Sequence, residues 1–362
     1  MTTKTPHLFR PLTMRGLTIE NRLVVSPMCQ YSAVDGSAND WHLVNLGQFA
    51  LSGPGIAFFE ATHVSPEGRI TTGCLGLYSD ANEEGIARVV RFAKQYARAP
   101  VGVQLAHAGR KASTMIPWLG NGPDRGPDAW EPVAPSAIAY KPGWLVPRAL
   151  DDNGLQKVRD DFVAAAKRAD RAGIDLIELH FAHGYLAHEF LSPLSNARTD
   201  AYGGTLENRM RFPLELFDAV RAAWPEGKPL GVRISATDHV AGGWDLDGSL
   251  ALAERLEGRG CDFIDVSSGG LHPDQNIEAK PGYQVPYSAA IRRATGVTTI
   301  SVGAITKVDQ AERILASGDA DMVALARGFL RDPRWTWDAA DALGAEAFCP
   351  PQYLRGRATE RP

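Results

Sequence analysis

The chain has 362 residues, 44% of them hydrophobic and 22% charged, with a formal net charge of −4, the make-up of an ordinary globular protein. That charge argues against nucleic acid or an anionic membrane as partner. No apolar run approaches the length of a membrane span, and the opening MTTKTPHLFRPL lacks the apolar core of a signal peptide.

Eight short apolar runs, suited to strands buried on both faces, follow one another along the chain. They are Leu23 to Val25, Ile56 to Phe59, Val101 to Leu105, Asp175 to Leu179, Leu230 to Ile234, Phe263 to Val266, Thr299 to Val302 and Met322 to Leu325. Helical periodicity fills intervals at Ala81 to Tyr96, Asp151 to Ala172, Leu206 to Ala223, Ser249 to Arg259, Lys307 to Ala316 and Phe329 to Leu343. Alternating strand and helix implies an α/β fold with a parallel sheet, and eight repeats imply closure into a (β/α)8 TIM barrel. Such barrels reach this length as one unit, so 1–362 is expected to form a single domain. A doubly wound open sheet is the alternative, although no GxGxxG follows an early strand.

Two stretches interrupt the alternation. From Ser113 to Leu150 the chain is rich in Pro, Gly and Trp with no helical period. It is expected to be an ordered excursion after strand three, since loops this long are usually functional or disordered. A short C-terminal tail from about 348 carries Pro350-Pro351 and then Gln352-Tyr353-Leu354-Arg355. Cysteines at 29, 74, 261 and 349 form no CxxC pair. Their scatter fits reduced thiols in a cytoplasmic protein and excludes a four-cysteine iron–sulfur cluster at the usual spacings.

In α/β barrels the working residues stand at the C-terminal ends of the strands. Those ends carry Ser26-Pro27-Met28-Cys29-Gln30-Tyr31, then Glu60-Ala61-Thr62, then Gln104 within strand three followed by His107 to Lys111. Next come His180, His183 and Tyr185, Arg233, Ser267-Ser268-Gly269-Gly270, Gly303 and Ala326-Arg327-Gly328. Two imidazoles and a phenol just past a buried strand suggest a reaction site. The HxxH spacing also suits a metal pair or two hydrogen-bonded core histidines, although no third ligand stands at metal-site spacing nearby. Gly303 and Arg327-Gly328 occupy the place where such barrels hold a phosphate group, with Arg327 adding a charge-assisted contact. Otherwise Arg327 would be a cation exposed at a helix start, where the dipole disfavours it. For Cys29 the plainer reading is a small buried hydrophobe.

The stretch HFAHGYLAHEFLSPLSNARTDAYGGTLENRMRF, with SPMCQYSA, EAT and QLAHAGRK, resembles the Old Yellow Enzyme family of flavin-dependent ene-reductases from about residue 8 to 356. Cys29, Tyr31 and His183 place it nearer the bacterial, thermophilic-type branch. The resemblance implies non-covalent FMN in a TIM barrel, reduced by NADPH or NADH, and an alkene-reducing NAD(P)H oxidoreductase. By that resemblance Pro27, Met28 and Ala61 line the flavin and Cys29 meets its C4 carbonyl. Gln104 and Arg233 hold the pyrimidine edge, and Gly303, Ala326 and Arg327 the phosphate; Lys111 and Lys280 have no defined role. His180 and His183 would bind the carbonyl or nitro oxygen of an activated alkene beside Tyr31, and Tyr185 would protonate its α-carbon. Arg355 resembles the Arg that this branch inserts into a neighbouring subunit's active site, implying a homodimer or homotetramer; alone it reads equally as a solvated tail residue. A dienoyl-CoA reductase of the same superfamily would need further cysteines. A metal-dependent barrel hydrolase using His180 and His183, and a non-catalytic phosphate-binding barrel, are the readings from other classes.

Overall fold

The computed structural model describes residues 5–120 and 122–357. Eight strands form its centre: β1 (Leu23–Val25), β2 (Ile56–His63), β3 (Val101–Ala106), β4 (Leu176–Phe181), β5 (Leu230–Ser235), β6 (Phe263–Ser267), β7 (Thr298–Ser301) and β8 (Met322–Leu325). They pair in chain order and close, β8 meeting β1, into a parallel barrel. Every residue of β4 is buried, because one face of the strand looks into the barrel and the other under the surrounding helices. A strand enclosed on both sides must be apolar nearly throughout.

The period of two sorts these residues. Val24, Ile56, Phe58, Leu176, Phe263, Ile300 and Met322 fill the lower barrel as one cluster. A hairpin of Leu12–Met14 and Leu17–Ile19 adds Met14 and Ile19 to the cluster and closes the floor. Val103, Ile177, Leu179, Val232 and Ile234 belong to the larger cluster under the helices. Each such side chain contributes about 1.5–3 kcal/mol by its burial.

The helices expected from periodicity form, with one correction. The segment Phe329 to Leu343 is two helices, Arg327–Arg331 and Trp335–Leu343. Pro333 lacks a backbone N–H, and Asp332 before it is extended, at φ −136° and ψ 93°, as the residue preceding a proline prefers. Among the described residues four further α-helices carry no expectation from the sequence: Asp40–Ala50, Leu186–Leu191, Val285–Ala294 and the short Leu354–Arg357. The first starts in a capping box, Asn39 accepting from Trp41 N–H while His42 Nδ1 accepts from Asn39 N–H.

The excursion after β3 is ordered but has no helix among its described residues. Its middle and its end meet in a two-residue parallel pair, Val133–Ala134 with Arg148–Ala149. Trp130 ties it down, donating from its backbone to Ser113 Oγ at 2.9 Å and from its indole to Glu67 O at 2.8 Å. The described part of the tail reaches a one-turn helix, Leu354–Arg357, on which Arg355 is exposed. Among the described residues no helix is long and apolar enough to cross a membrane.

Candidate active site

His180 lies on the inward register of β4, two residues above Glu178, and its Nδ1 accepts from Ala182 N–H at 3.2 Å. Burial, aided by His183 and Arg233, pushes its pKa well below the usual imidazole range. A neutral ring whose Nδ1 is an acceptor carries its proton on Nε2. His183 follows in the left-handed region, at φ 57°. Its backbone donates to Ser235 Oγ at 2.9 Å, and its Nε2 lies 2.7 Å from Ser267 Oγ. Burial and the charges of Arg233 and Lys111 hold this ring neutral too. Gly184, at φ 71°, is needed where it stands, because a Cβ there would lie 2.4 Å from Gly270 O. Gly184 N–H donates to His188 Nδ1, while His188 Nε2 lies 2.9 Å from Asp238 Oδ1 in a fully buried pair.

Tyr185 comes next, at the N-cap of Leu186–Leu191. Its ring meets that of His180 at 4.9 Å between centroids, and the rings of His180 and His183 stand 5.2 Å apart. Its hydroxyl hydrogen-bonds to no other described residue. Burial raises the phenol well above its ordinary pKa, so it is neutral at physiological pH. The Lys111 ammonium lies 4.9 Å from the Tyr185 ring and donates to His183 O at 2.8 Å and Gly270 O at 3.0 Å. Burial lowers the Lys111 pKa to about 8.

The loop after β1 brings Cys29 and Tyr31 to the same mouth. The β2–β3 register shifts between Phe59 and Ala61. Glu60, at this bulge, accepts from Gln30 N–H at 2.9 Å and faces His42 Nε2 at 3.4 Å. The loop so anchored carries Tyr31 in the left-handed region, φ 49°. Cys29 is half-buried and packs, with Tyr31 and Tyr185, against the cluster of Ile70, Cys74, Ala108 and Ala112. Burial raises the pKa of its thiol well above the ordinary value and keeps it protonated. The Tyr31 ring packs edge-on to Trp118 at 6.0 Å, which draws the excursion to the mouth.

Below the histidines runs a polar layer. Gln104 Nε2 donates to Glu178 Oε1 at 2.7 Å, and Arg233 Nε stands 3.3 Å from Asp265 Oδ2. The layer leads sideways into a cavity of about 180 Å³ lined by Arg233, Ser267, Gly303, Ala326 and Arg327, among others. Gly303 has φ 118°, and a Cβ there would come within 2.7 Å of Gln284 Nε2. Arg327 is exposed and makes no ion pair among the described residues, a guanidinium available to an anion. Lys280 is exposed and 3.7 Å from Glu278. Neither Lys280 nor Arg355 lines this cavity.

The structure thus gathers His180, His183, Tyr185, Cys29 and Tyr31 at one mouth, and Arg233, Gly303, Ala326 and Arg327 beside it. Reasoning from the sequence missed Glu178 and Asp265, and it placed Ser267 at a strand end without its partner His183. The two acids were visible as the charged residues inside apolar strand runs. Ser267 is separated from His183 by 84 positions, and no local pattern signals that pairing.

The family model described as the NADH:flavin oxidoreductase / NADH oxidase family matches residues 7–346. The chain belongs to this family. The flavin oxidoreductase is 43% identical over 351 residues to the NADPH dehydrogenase of Geobacillus thermodenitrificans, covering 96% of this chain and 98% of that one. It is 42% identical over 352 residues to the NADPH dehydrogenase of Bacillus subtilis, with 96% and 98% covered. Morphinone reductase superposes with a TM-score of 0.79 at 28% identity, over 96% of this chain and 92% of that one. FMN is the oxidoreductase's cofactor and NAD(P)H its reductant. The residues present suit FMN. Arg233 Nε is buried without a hydrogen-bond partner, and the Gly303 backbone leaves no room for a Cβ beside the unpaired Arg327.

Proposed function

We propose that this oxidoreductase is an ene-reductase, drawing electrons from NADPH to saturate the activated C=C bond of α,β-unsaturated carbonyl and related compounds. The observation that carries the reading is the Tyr185 phenol, neutral and unpartnered, against a His180 whose tautomer presents Nε2–H.

Pro27, Met28, Cys29 and Ala61 would lie along FMN, Gln104 and Arg233 at its pyrimidine edge, and Gly303, Ala326 and Arg327 at its phosphate. FMN, when bound, supplies the hydride that goes to the substrate β-carbon. His180 donates from Nε2 to the substrate carbonyl oxygen. Ser267 Oγ lies 2.7 Å from His183 Nε2 but 3.4 Å from Gln284 Oε1. His183, held beside His180 by the Ser267 contact, would supply the second donor in the tautomer whose free ring N–H faces the substrate. Two neutral donors fixed in place stabilise the negative charge that grows on that oxygen. Tyr185 passes its phenolic proton to the α-carbon, and water restores it. The Lys111 ammonium beside the ring favours the transient phenolate.

Tyr31 would border the substrate, and Arg355 would reach the site of a second copy in a homodimer or homotetramer, in the cytoplasm. The test is anaerobic absorption spectroscopy of the purified holoenzyme. Its yellow colour should bleach with NADPH and return with 2-cyclohexen-1-one; bleaching that the enone fails to reverse would overturn the reading.

A further inference from the structure

The polar layer under the active-site histidines holds more acid than base. Glu178, Arg233 and Asp265, on the adjacent strands β4, β5 and β6, are 0%, 8% and 1% exposed. Arg233 pairs across the ladder with Asp265 on one side and with His180 on the other, and Glu178 pairs with Gln104. One guanidinium thus serves two carboxyl groups. Glu178 Oε2, Asp265 Oδ1 and Arg233 Nε have no hydrogen-bond partner among the described residues.

Two buried carboxylates against one cation leave an uncompensated negative charge in a layer that is almost wholly buried. Such a charge is costly, and a proton retained on one carboxyl removes it. Asp265 has Arg233 at ion-pair distance, 3.3 Å. Glu178 has only the neutral Gln104 amide at 2.7 Å, so the proton belongs on Glu178. The same bond fixes the orientation of Gln104: its NH2 group is held by Glu178, and its carbonyl oxygen is left free.

We propose that Glu178 is the proton store of the cofactor site. Its carboxyl is protonated near neutral pH, and once ionised in alkaline solution it takes a proton back when the bound FMN is reduced. The balance is two electrons and one proton to the cofactor, plus one proton from solvent to Glu178. That second proton offsets negative charge added near Arg233.

The groups acting on Glu178 support this. Burial and then Asp265 raise its pKa, to about 8, against the lowering effects of Arg233 and the Gln104 hydrogen bond. His180, on the same strand, is neutral. From neutral pH to about 8 the carboxyl keeps its proton in both redox states and adds nothing to the protons taken up on reduction. Above about 8 it is ionised in the oxidised enzyme and protonated in the reduced one, so a second proton enters.

The inference rests on the proposed function only for FMN occupancy. Failure to reduce enones would leave it untouched. The experiment is a spectroelectrochemical titration of the holoenzyme's midpoint potential against pH, for wild type and Glu178→Gln. In wild type the slope should double above pH 8, from one proton per electron pair to two, while Glu178→Gln keeps the one-proton slope throughout. A constant wild-type slope, or a steep segment that survives in Glu178→Gln, overturns the proposal. Should the variant lose FMN, the wild-type titration decides together with its redox-difference infrared spectrum above pH 8. There a protonated-carboxyl C=O band must appear on reduction, and its absence overturns the proposal.

Discussion

The Tyr185 ring stands edge-on to that of His180, 4.9 Å between centroids with planes at 83°. The contact sets a neutral phenol and a neutral imidazole side by side, with Gly184 and the left-handed His183 making the turn between them. Such proximity fits a substrate whose oxygen is held at one ring while the other protonates a carbon nearby.

Tyr185→Phe should therefore slow the oxidative half-reaction by about 10²- to 10⁴-fold, the usual contribution of a positioned acid. Reduction by NADPH should keep its rate. Stopped-flow spectroscopy separates the two half-reactions, and equal slowing of both would remove Tyr185 from the proton-donor role.

His180→Ala should weaken phenolate-type ligands roughly tenfold to a hundredfold, the loss of one hydrogen bond to a charged acceptor. Ligand-binding difference spectra measure this directly. An unchanged dissociation constant would mean that Nε2 does not face the ligand.

Arg327→Ala should raise the dissociation constant of FMN by a similar roughly tenfold to hundredfold, since a charge-assisted contact to phosphate is lost. Fluorescence titration of the apoprotein with FMN checks it, and riboflavin, which lacks the phosphate, serves as control. The variant should discriminate less between FMN and riboflavin than wild type does; an unaltered ratio would place the phosphate elsewhere.

Glu189 offers a pH test apart from catalysis. It accepts from Arg110 N–H at 2.8 Å, its Oε2 has no hydrogen-bond partner, and burial raises its pKa to about 8 from 4.5. The folded state therefore binds a proton between these values that the unfolded chain has released. That contribution is full below 4.5 and is lost as pH rises through 8. Relative to Glu189→Gln, wild type should lose about 1 kcal/mol per pH unit across this window. Denaturant titrations of both proteins at several pH values test it, and parallel stability curves would show that Glu189 stays ionised.

Much of this molecule was legible in its sequence, for a physical reason. A strand closed in on both faces leaves a continuous apolar run, and all eight barrel strands did so. The mouth residues stood where those runs ended. The helix break went unread even though Pro333 announces it, because the apolar period continues on either side. Asp40–Ala50 was missed because its mixture of Trp, His, Asn and Gly hides the period. The Glu178–Arg233–Asp265 layer depends on ladder register between strands far apart in sequence, and a single sequence does not carry register.

Lys111 joins the loops that follow β4 and β6 by donating to both His183 O and Gly270 O, where the two backbones already touch at Gly184 and Gly270. Neither loop can be remodelled without the other. Change at the mouth is thereby channelled away from the turn at His183 and toward the excursion carrying Trp118. Laboratory evolution for altered substrate scope should accumulate its tolerated changes there.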